Sequence, residues 1–182
     1  MDKIRIDIFD ILGYLVPGSA LLMVLWICVD GQITSVWHIY NSLHAIDQKT
    51  LLLALLPAYI AGFMLHALGA ALYDLYLHKK IRRYVPSQVQ DNWAYIREYG
   101  GKHISILERW YALRAFSQNI AAVSLIAGLV SLVKWGRYGY TEWAGVFICS
   151  MLLCLLALNR SRIFHNFLND DIAAILRLNL GK

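Results

Sequence analysis

The chain has 182 residues, of which 59% are hydrophobic and only 16% are charged, and its mean hydropathy is +0.50. Soluble domains contain about 45–50% apolar and about 25% charged residues. The composition therefore excludes an ordinary soluble enzyme and favours a membrane protein. Asp, Glu, Lys and Arg are absent from four long stretches, residues 11–29, 50–73, 115–133 and 143–159.

The four uncharged stretches have the length of membrane-spanning helices, which need about 20 apolar residues with a range of roughly 17–25. We predict an all-α integral membrane protein with one domain, residues 1–182, and four transmembrane helices at about residues 11–29, 50–77, 115–134 and 142–160. A cytoplasmic helical segment at 78–114 and a C-terminal helix at 160–180 extend spans two, three and four. Pro17 lacks an amide hydrogen, so a kink is expected in the first span.

The basic residues predict the orientation of these spans. Fourteen of the 17 Lys and Arg residues belong to the N-terminal segment, the long middle segment and the C-terminal tail. Cytoplasmic loops carry the excess of positive charge in membrane proteins. We therefore expect a multi-pass membrane protein with both termini in the cytoplasm. The external turn between spans three and four carries Trp135, Tyr138, Tyr140 and Trp143, which match an interfacial aromatic belt.

The predicted cytoplasmic face supplies a candidate partner-binding surface of basic residues. These are Lys79, Lys80, Arg82, Arg83, Arg97, Arg109, Arg160 and Arg162. The cluster at 78–83 follows the second span directly, where it can contact anionic lipid headgroups. A polybasic run is also compatible with nucleic acid, but its place at the end of a span favours a role in topology. We expect contact with membrane lipids here and no direct contact with nucleic acid.

Small residues recur at every third or fourth position of the third span. They are Ser117, Ala121, Ser124, Gly128 and Ser131, and Gly62 belongs to a similar series in the second span. Such faces let helix backbones approach closely in lipid. The pattern fits packing within one chain and packing between subunits of a homo-oligomer, such as a tetramer.

His66 is an ionisable side chain inside an uncharged stretch, and such groups are candidates for gating or for a proton path. A single histidine without an acidic or basic partner at the same depth makes a poor relay. We therefore favour a neutral imidazole that bonds to a neighbouring helix. Cys28, Cys149 and Cys154 lack the spacing of a zinc site or a disulfide framework, so no metal or cofactor is expected.

The sequence contains no recognisable catalytic motif. Arg160 and His165 match the Arg-x4–6-His spacing of small helical HEPN ribonucleases, as do Arg97 and His103. Matches of this kind arise by chance in a chain with six histidines. We predict a protein that is not an enzyme.

Three segments resemble small four-span membrane proteins of bacterial anti-phage defence loci. They are DIFDILGYLVPG at 7–18, ERWYALRAFSQN at 108–119 and RSRIFH at 160–165. The chain is most similar to the membrane subunits of Kiwa systems, and four-span accessory proteins of RNA-targeting CRISPR effectors are a second candidate. The resemblance implies a homo-oligomeric inner-membrane sensor that docks a cytoplasmic partner engaged with nucleic acid. It implies no catalytic residue.

We therefore expect an oligomeric inner-membrane sensor or scaffold of antiviral defence that recruits or regulates a cytoplasmic effector. A pore-forming protein that depolarises the infected cell is the first alternative. In that case the small faces of spans two and three and His66 would line or gate the opening. A general membrane-assembly factor is the second alternative.

Overall fold

The computed structural model describes residues 11–44, 46–78 and 104–180, and all its regular structure there is helical. The predicted all-α class is confirmed. The chain forms a π-helical turn, Ile11–Leu15, followed by α1 (Val16–Val29), α2 (Val36–His44), α3 (Gln48–His78), α4 (Ile104–Tyr138) and α5 (Thr141–Leu180).

Three of these helices, α3, α4 and α5, are long and apolar enough to cross a membrane. The first apolar helix, Gly13–Val29, is shorter. The chain therefore has the helices of a membrane protein, with three that can span a bilayer on length and composition.

Helix α4 is the centre of the bundle. In the most apolar 18-residue stretch of each helix, 50% of α4 is buried, compared with 17% of α3 and 22% of α5. Helices α1, α3 and α5 each pack against it. Large apolar side chains such as Leu53 and Met64 of α3 and Leu156 of α5 are exposed on the outside, as expected for surfaces that face lipid.

The π-helical turn marks the interruption that Pro17 predicts in the first helix. Pro17 has no amide hydrogen to donate to the carbonyl of Gly13, four residues earlier. Instead Nδ2 of Asn119, a fully buried side chain of α4, donates to this carbonyl at 2.8 Å. Gly62 of α3 lies so close to Tyr14 that a Cβ at Gly62 would overlap the Tyr14 carbonyl. Helix α4 therefore supplies the donor that Pro17 lacks, and α3 packs closely against the interrupted turn.

The predicted external loop contains the short helix α2 and is fixed to the turn between α4 and α5. Nζ of Lys134 donates to the carbonyls of Asp30 and Ile33, each at 3.0 Å. Nε1 of Trp143 donates to the carbonyl of Thr34 at 2.8 Å. We call this region, residues 30–36 with 134–143, the loop end.

The aromatic residues predicted to form a belt at this turn differ in their exposure. Trp143 is 2% exposed and packs with Ile27 and Ile33, whereas Trp135 and Tyr140 are exposed. The loop residues cover Trp143 because its indole nitrogen bonds to their backbone. Trp143 therefore stabilises the loop rather than the contact with the membrane surface.

At the opposite end, α4 and α5 continue beyond their uncharged stretches. Helices of 35 and 40 residues are about 52 and 60 Å long, against about 30 Å for the hydrocarbon core. Residues 104–114 and 160–180 lie side by side, with Leu107 packed against Leu168 and Ile172. We call this pair the extended hairpin. Of the helical segment predicted at 78–114, residues 79–103 lie outside the described residues.

Candidate functional site

A layer of buried and half-buried polar side chains crosses the bundle where the apolar helices become charged. Its members are Tyr73 from α3, Arg114 and Gln118 from α4, and Ser161 and His165 from α5. We call this set the polar layer. Asp74 directly follows Tyr73 and Arg160 directly precedes Ser161. The layer therefore lies at the base of the extended hairpin.

Two ring contacts form the centre of the polar layer. Cζ of Arg114 lies 5.1 Å from the centroid of the Tyr73 ring. The imidazole of His165 meets the same ring at a steep angle, with the centroids 6.1 Å apart. Nδ2 of Asn169 lies 3.2 Å from Nε2 of His165. With the amide nitrogen as donor and Nε2 as acceptor, the ring hydrogen would be on Nδ1.

Several polar atoms of the layer are buried without a hydrogen-bond partner among the described residues. They are Oη of Tyr73, Nε of Arg114, Nε2 of Gln118, Oγ of Ser161 and Nδ1 of His165. The side chains of Tyr73, Gln118 and Ser161 are 1%, 3% and 0% exposed. A buried polar group without a partner costs roughly 1–3 kcal/mol, so this arrangement is expensive for the fold.

Each of these unpaired atoms can donate a hydrogen bond. The layer therefore presents donors, one of them cationic, that have no acceptor among the described residues. Such a set can gain bonds when a neighbouring helix shifts and brings a carbonyl or carboxylate into reach. A small movement of α3 or α5 against α4 would thus change the hydrogen bonding of the whole layer.

The structure describes three of the predicted partner-binding residues. Arg109 is exposed on α4, and the guanidinium of Arg160 lies 5.1 Å from the centroid of the Phe164 ring. Arg162 is half-buried and lines a groove between α3 and α5. All three belong to the extended hairpin. The remaining five lie outside the described residues: Lys79, Lys80, Arg82, Arg83 and Arg97.

The predicted small-residue face lies inside the chain. Ser117, Ala121, Ser124 and Ser131 are at most 5% exposed, and Gly128 contacts the side chain of Met151 on α5. The Ser131 hydroxyl donates to the carbonyl of Ala127 at 2.7 Å, and that of Ser117 to the carbonyl of Leu113 at 2.9 Å. Of the two interpretations left open by the sequence, packing within one chain describes these contacts.

His66 lies where α3 crosses the first helix. Its imidazole meets the ring of Tyr14 edge-on, with the centroids 6.2 Å apart. Its Nδ1 is buried and has no hydrogen-bond partner among the described residues. The structure therefore places His66 apart from the polar layer, and its role as a gate stays a prediction.

Sequence reasoning missed the polar layer because it divided the chain only at charged residues. Gln118 and Asn119 carry no charge and therefore fall inside the uncharged stretch 115–133. Two spacings could have revealed the polar layer. Arg114 and Gln118 are four residues apart on one helix, and Ser161 and His165 are four residues apart on the next. Polar residues at that spacing share a helix face.

Among the residues that the structure describes, no group of three His, Cys, Asp or Glu side chains is placed to hold a metal ion. Comparison of the chain with protein-family models, with curated proteins and with solved structures finds no match.

Proposed function

We propose that this chain is a four-span protein of the bacterial inner membrane that acts as a sensor and scaffold in antiviral defence, without enzymatic activity. It holds a cytoplasmic effector protein at the extended hairpin. The observation that carries this proposal is the hairpin itself, residues 104–114 and 160–180, which extends α4 and α5 past their uncharged stretches.

The extended hairpin has the properties of a preformed docking surface. Its inner side is closed by Leu107, which is fully buried, and by a hydrogen bond at 2.9 Å from Nε1 of Trp110 to Oδ2 of Asp171. Arg109 and Arg177 are exposed on its outside. A partner that binds a preformed helical pair avoids the entropy cost of ordering a flexible tail.

Two features support four spans and cytoplasmic termini. The excess of Lys and Arg belongs to the segments on the side of the extended hairpin. The first helix runs from Gly13, bonded to Asn119, to Ile27, packed on Trp143 at the loop end. Along α4 the distance from Asn119 to Lys134 is about 22 Å. Together with the π-helical turn, α1 therefore covers most of a hydrocarbon core of about 30 Å.

The polar layer gives the proposal a route for sensing. It lies between the apolar spans and the extended hairpin, so a change in span packing reaches the hairpin through it. A signal shifts such an equilibrium only if the two states differ in their contacts. The unpaired donors of the layer provide that difference, because they gain partners in one packing and lose them in another.

The assignment to defence and to a homo-oligomer follows from the resemblance to Kiwa membrane subunits. The exposed apolar surface of α3, which includes Leu53 and Met64, is available to lipid and to further copies of the chain. Cross-linking in membranes, followed by denaturing electrophoresis, tests the oligomer. Bands of the monomer alone would refute that part of the proposal.

Recovery of the partner tests the docking surface. The tagged protein, extracted in mild detergent, should bring down one cytoplasmic protein in a fixed ratio. The Arg109→Glu variant should recover about tenfold less, since reversing a charge at a complementary surface both removes an attraction and adds a repulsion. Arg137→Glu, an equal charge change at an exposed residue of the loop end, should recover as much as the wild type.

Failure has two distinct forms in this experiment. If the wild type recovers no cytoplasmic protein before or during phage infection, the scaffold function is wrong. If Arg109→Glu and Arg137→Glu recover equal amounts, the partner does not bind at the extended hairpin.

Labelling of single cysteines tests the orientation. In a chain whose Cys28, Cys149 and Cys154 are replaced by serine, a cysteine is introduced as Arg137→Cys or Arg177→Cys. A thiol reagent that cannot cross membranes should label Arg137→Cys in intact spheroplasts and Arg177→Cys only after permeabilisation. Labelling of both without permeabilisation would contradict the predicted sides.

A further inference from the structure

An apolar groove lies between α3 and α5. Both helices pack on α4 but hardly touch each other, which leaves a groove of about 660 Å³ along the surface of α4. The volume falls within the range of about 300–1,000 Å³ that is typical of ligand sites. Leu72 and Leu77 of α3, Leu125 of α4, and Met151 and Leu155 of α5 are among the side chains that line it.

The groove has the depth of one membrane leaflet. Along α5 it extends from Met151 to Arg162, a distance of about 16 Å at the rise of an α-helix. Half of a hydrocarbon core of about 30 Å is roughly 15 Å. Arg162 lies just past the uncharged stretch 143–159. The groove therefore runs from the middle of the bilayer to the headgroup level on the side of the extended hairpin.

Arg162 gives the groove a cationic end. It is the charged residue among the lining side chains and is half-buried. No side chain among the described residues accepts a hydrogen bond from its guanidinium. A guanidinium binds phosphate with two parallel hydrogen bonds. An apolar groove one leaflet deep with a guanidinium at its mouth has the two features that a phospholipid needs, a channel for an acyl chain and a donor for its phosphate.

The charge of the surroundings selects the headgroup. Arg162 and Arg114 both act electrostatically on Tyr73 of α3, and the carboxylate of Asp74 opposes them. The charged groups described at this end of the groove therefore sum to a net positive charge, which favours a lipid with a net negative charge over a zwitterionic one.

We propose that the groove between α3 and α5 binds one anionic phospholipid of the leaflet at the extended hairpin, with an acyl chain between the helices and its phosphate on Arg162. The inference rests on membrane insertion of the chain and is independent of any protein partner.

The test uses the full chain in a neutral detergent, with phosphatidylglycerol or phosphatidylethanolamine of identical acyl chains as probes. Native mass spectrometry counts bound lipids across a concentration series. The wild type should bind one phosphatidylglycerol in preference to phosphatidylethanolamine. Arg162→Gln should need about tenfold more phosphatidylglycerol for half occupancy, because it loses a charge-assisted bond.

Three further variants separate binding at the groove from other causes. Arg177→Gln removes an exposed cation of the same helix and should bind as the wild type does, and Arg162→Lys should bind more tightly than Arg162→Gln. Leu155→Trp fills the groove and should abolish the preferred site. Size-exclusion chromatography shows whether each variant is folded.

Three results would overturn the proposal. Equal binding by Arg162→Gln and Arg177→Gln would show that Arg162 holds no headgroup. Equal affinity for the two lipids would remove the selection for negative charge. A dimer that resists added lipid, and that Leu155→Trp dissociates, would show that a second copy of the chain occupies the groove.

Discussion

Buried polar groups are hydrogen-bonded at the loop end of the bundle, whereas several in the polar layer have no partner within the described part of the chain. At the loop end, the ammonium of Lys134 and the indole nitrogen of Trp143 each donate to backbone carbonyls of the loop. In the polar layer, the hydroxyls of Tyr73 and Ser161 and the amide nitrogen of Gln118 are buried without partners among the described residues. The buried donors of the loop end are thus bonded to the backbone, and within the same described segments those of the polar layer are not.

This difference separates a structural region from a responsive one. A fully bonded network is costly to disturb, because every lost bond leaves a buried group unpaired. A layer of unpaired donors has little to lose and can gain bonds in another packing. We therefore expect mutations at the loop end to reduce stability, and mutations in the polar layer to change the response of the protein with little effect on stability.

The largest effect is expected for Lys134→Met. The substitution leaves the carbonyls of Asp30 and Ile33 without their donor, so the free energy of unfolding should fall by about 3 kcal/mol. Lys49→Met, at an exposed residue, is the control and should change it by less than about 0.5 kcal/mol. Titration from mild detergent into sodium dodecyl sulfate, followed by circular dichroism, measures both. Equal curves for the two variants would contradict a structural role of the loop end.

A smaller loss is expected for Trp143→Phe. The phenyl ring keeps most of the apolar contact with Ile27 and Ile33, but the bond to the Thr34 carbonyl is lost. We expect a decrease of roughly 1–2 kcal/mol in the free energy of unfolding. Trp135→Phe, at a tryptophan that is 41% exposed, should leave the same titration nearly unchanged. A larger loss of unfolding free energy from Trp135→Phe would show that the turn stabilises the protein through contact with the membrane surface and not through the loop.

The polar layer should respond in the opposite direction. The Ser161 hydroxyl is buried and unpaired, so Ser161→Ala should leave the free energy of unfolding unchanged or raise it by up to about 1 kcal/mol. The same variant should alter partner recovery during infection if the layer transmits the signal. A loss of stability as large as that of Trp143→Phe would mean that the hydroxyl is bonded in the protein, and the contrast between the ends would disappear.

The smallest effect concerns acid at the start of α3. Oδ1 of Asp47 accepts a hydrogen bond from the Thr50 amide at 3.1 Å, and the side chain and backbone of Thr50 lower the pKa of Asp47 from 3.8. Because the folded pKa is depressed, the stabilisation is present above the unfolded value and is lost as the pH falls through the folded one. Asp47→Asn should remove this pH dependence. If the unfolding midpoints of the two proteins change in parallel from pH 6 down to about 3, the bond between Asp47 and Thr50 does not stabilise the start of α3.

The sequence predicted the long helices well because uncharged stretches of spanning length leave few alternatives. The third and fourth spans were expected to continue as single helices past their uncharged stretches, and α4 and α5 do so. Helix α2 was not predicted, because the loop that contains it has no apolar stretch long enough to span a membrane. The count of four spans stays a prediction, because the first helix is shorter than the others.

The contacts between distant segments were the part that the sequence could not supply. Trp143 bonds to Thr34, 109 residues away, and Asn119 to Gly13, 106 residues away. A periodic pattern shows which residues share a face but not which faces meet. For that reason Trp143 was predicted in an aromatic belt, and no contact was predicted for Gln118.

The bond from Asn119 to Gly13 has a consequence for how the protein is made. During synthesis the first helix is made before α4 emerges from the ribosome, so the Gly13 carbonyl has no donor from Asn119 in that interval. Nascent chains that end before residue 119 should therefore hold the first helix loosely and be removed by membrane proteases. The newly made protein matures only when α4 takes its place beside the first helix.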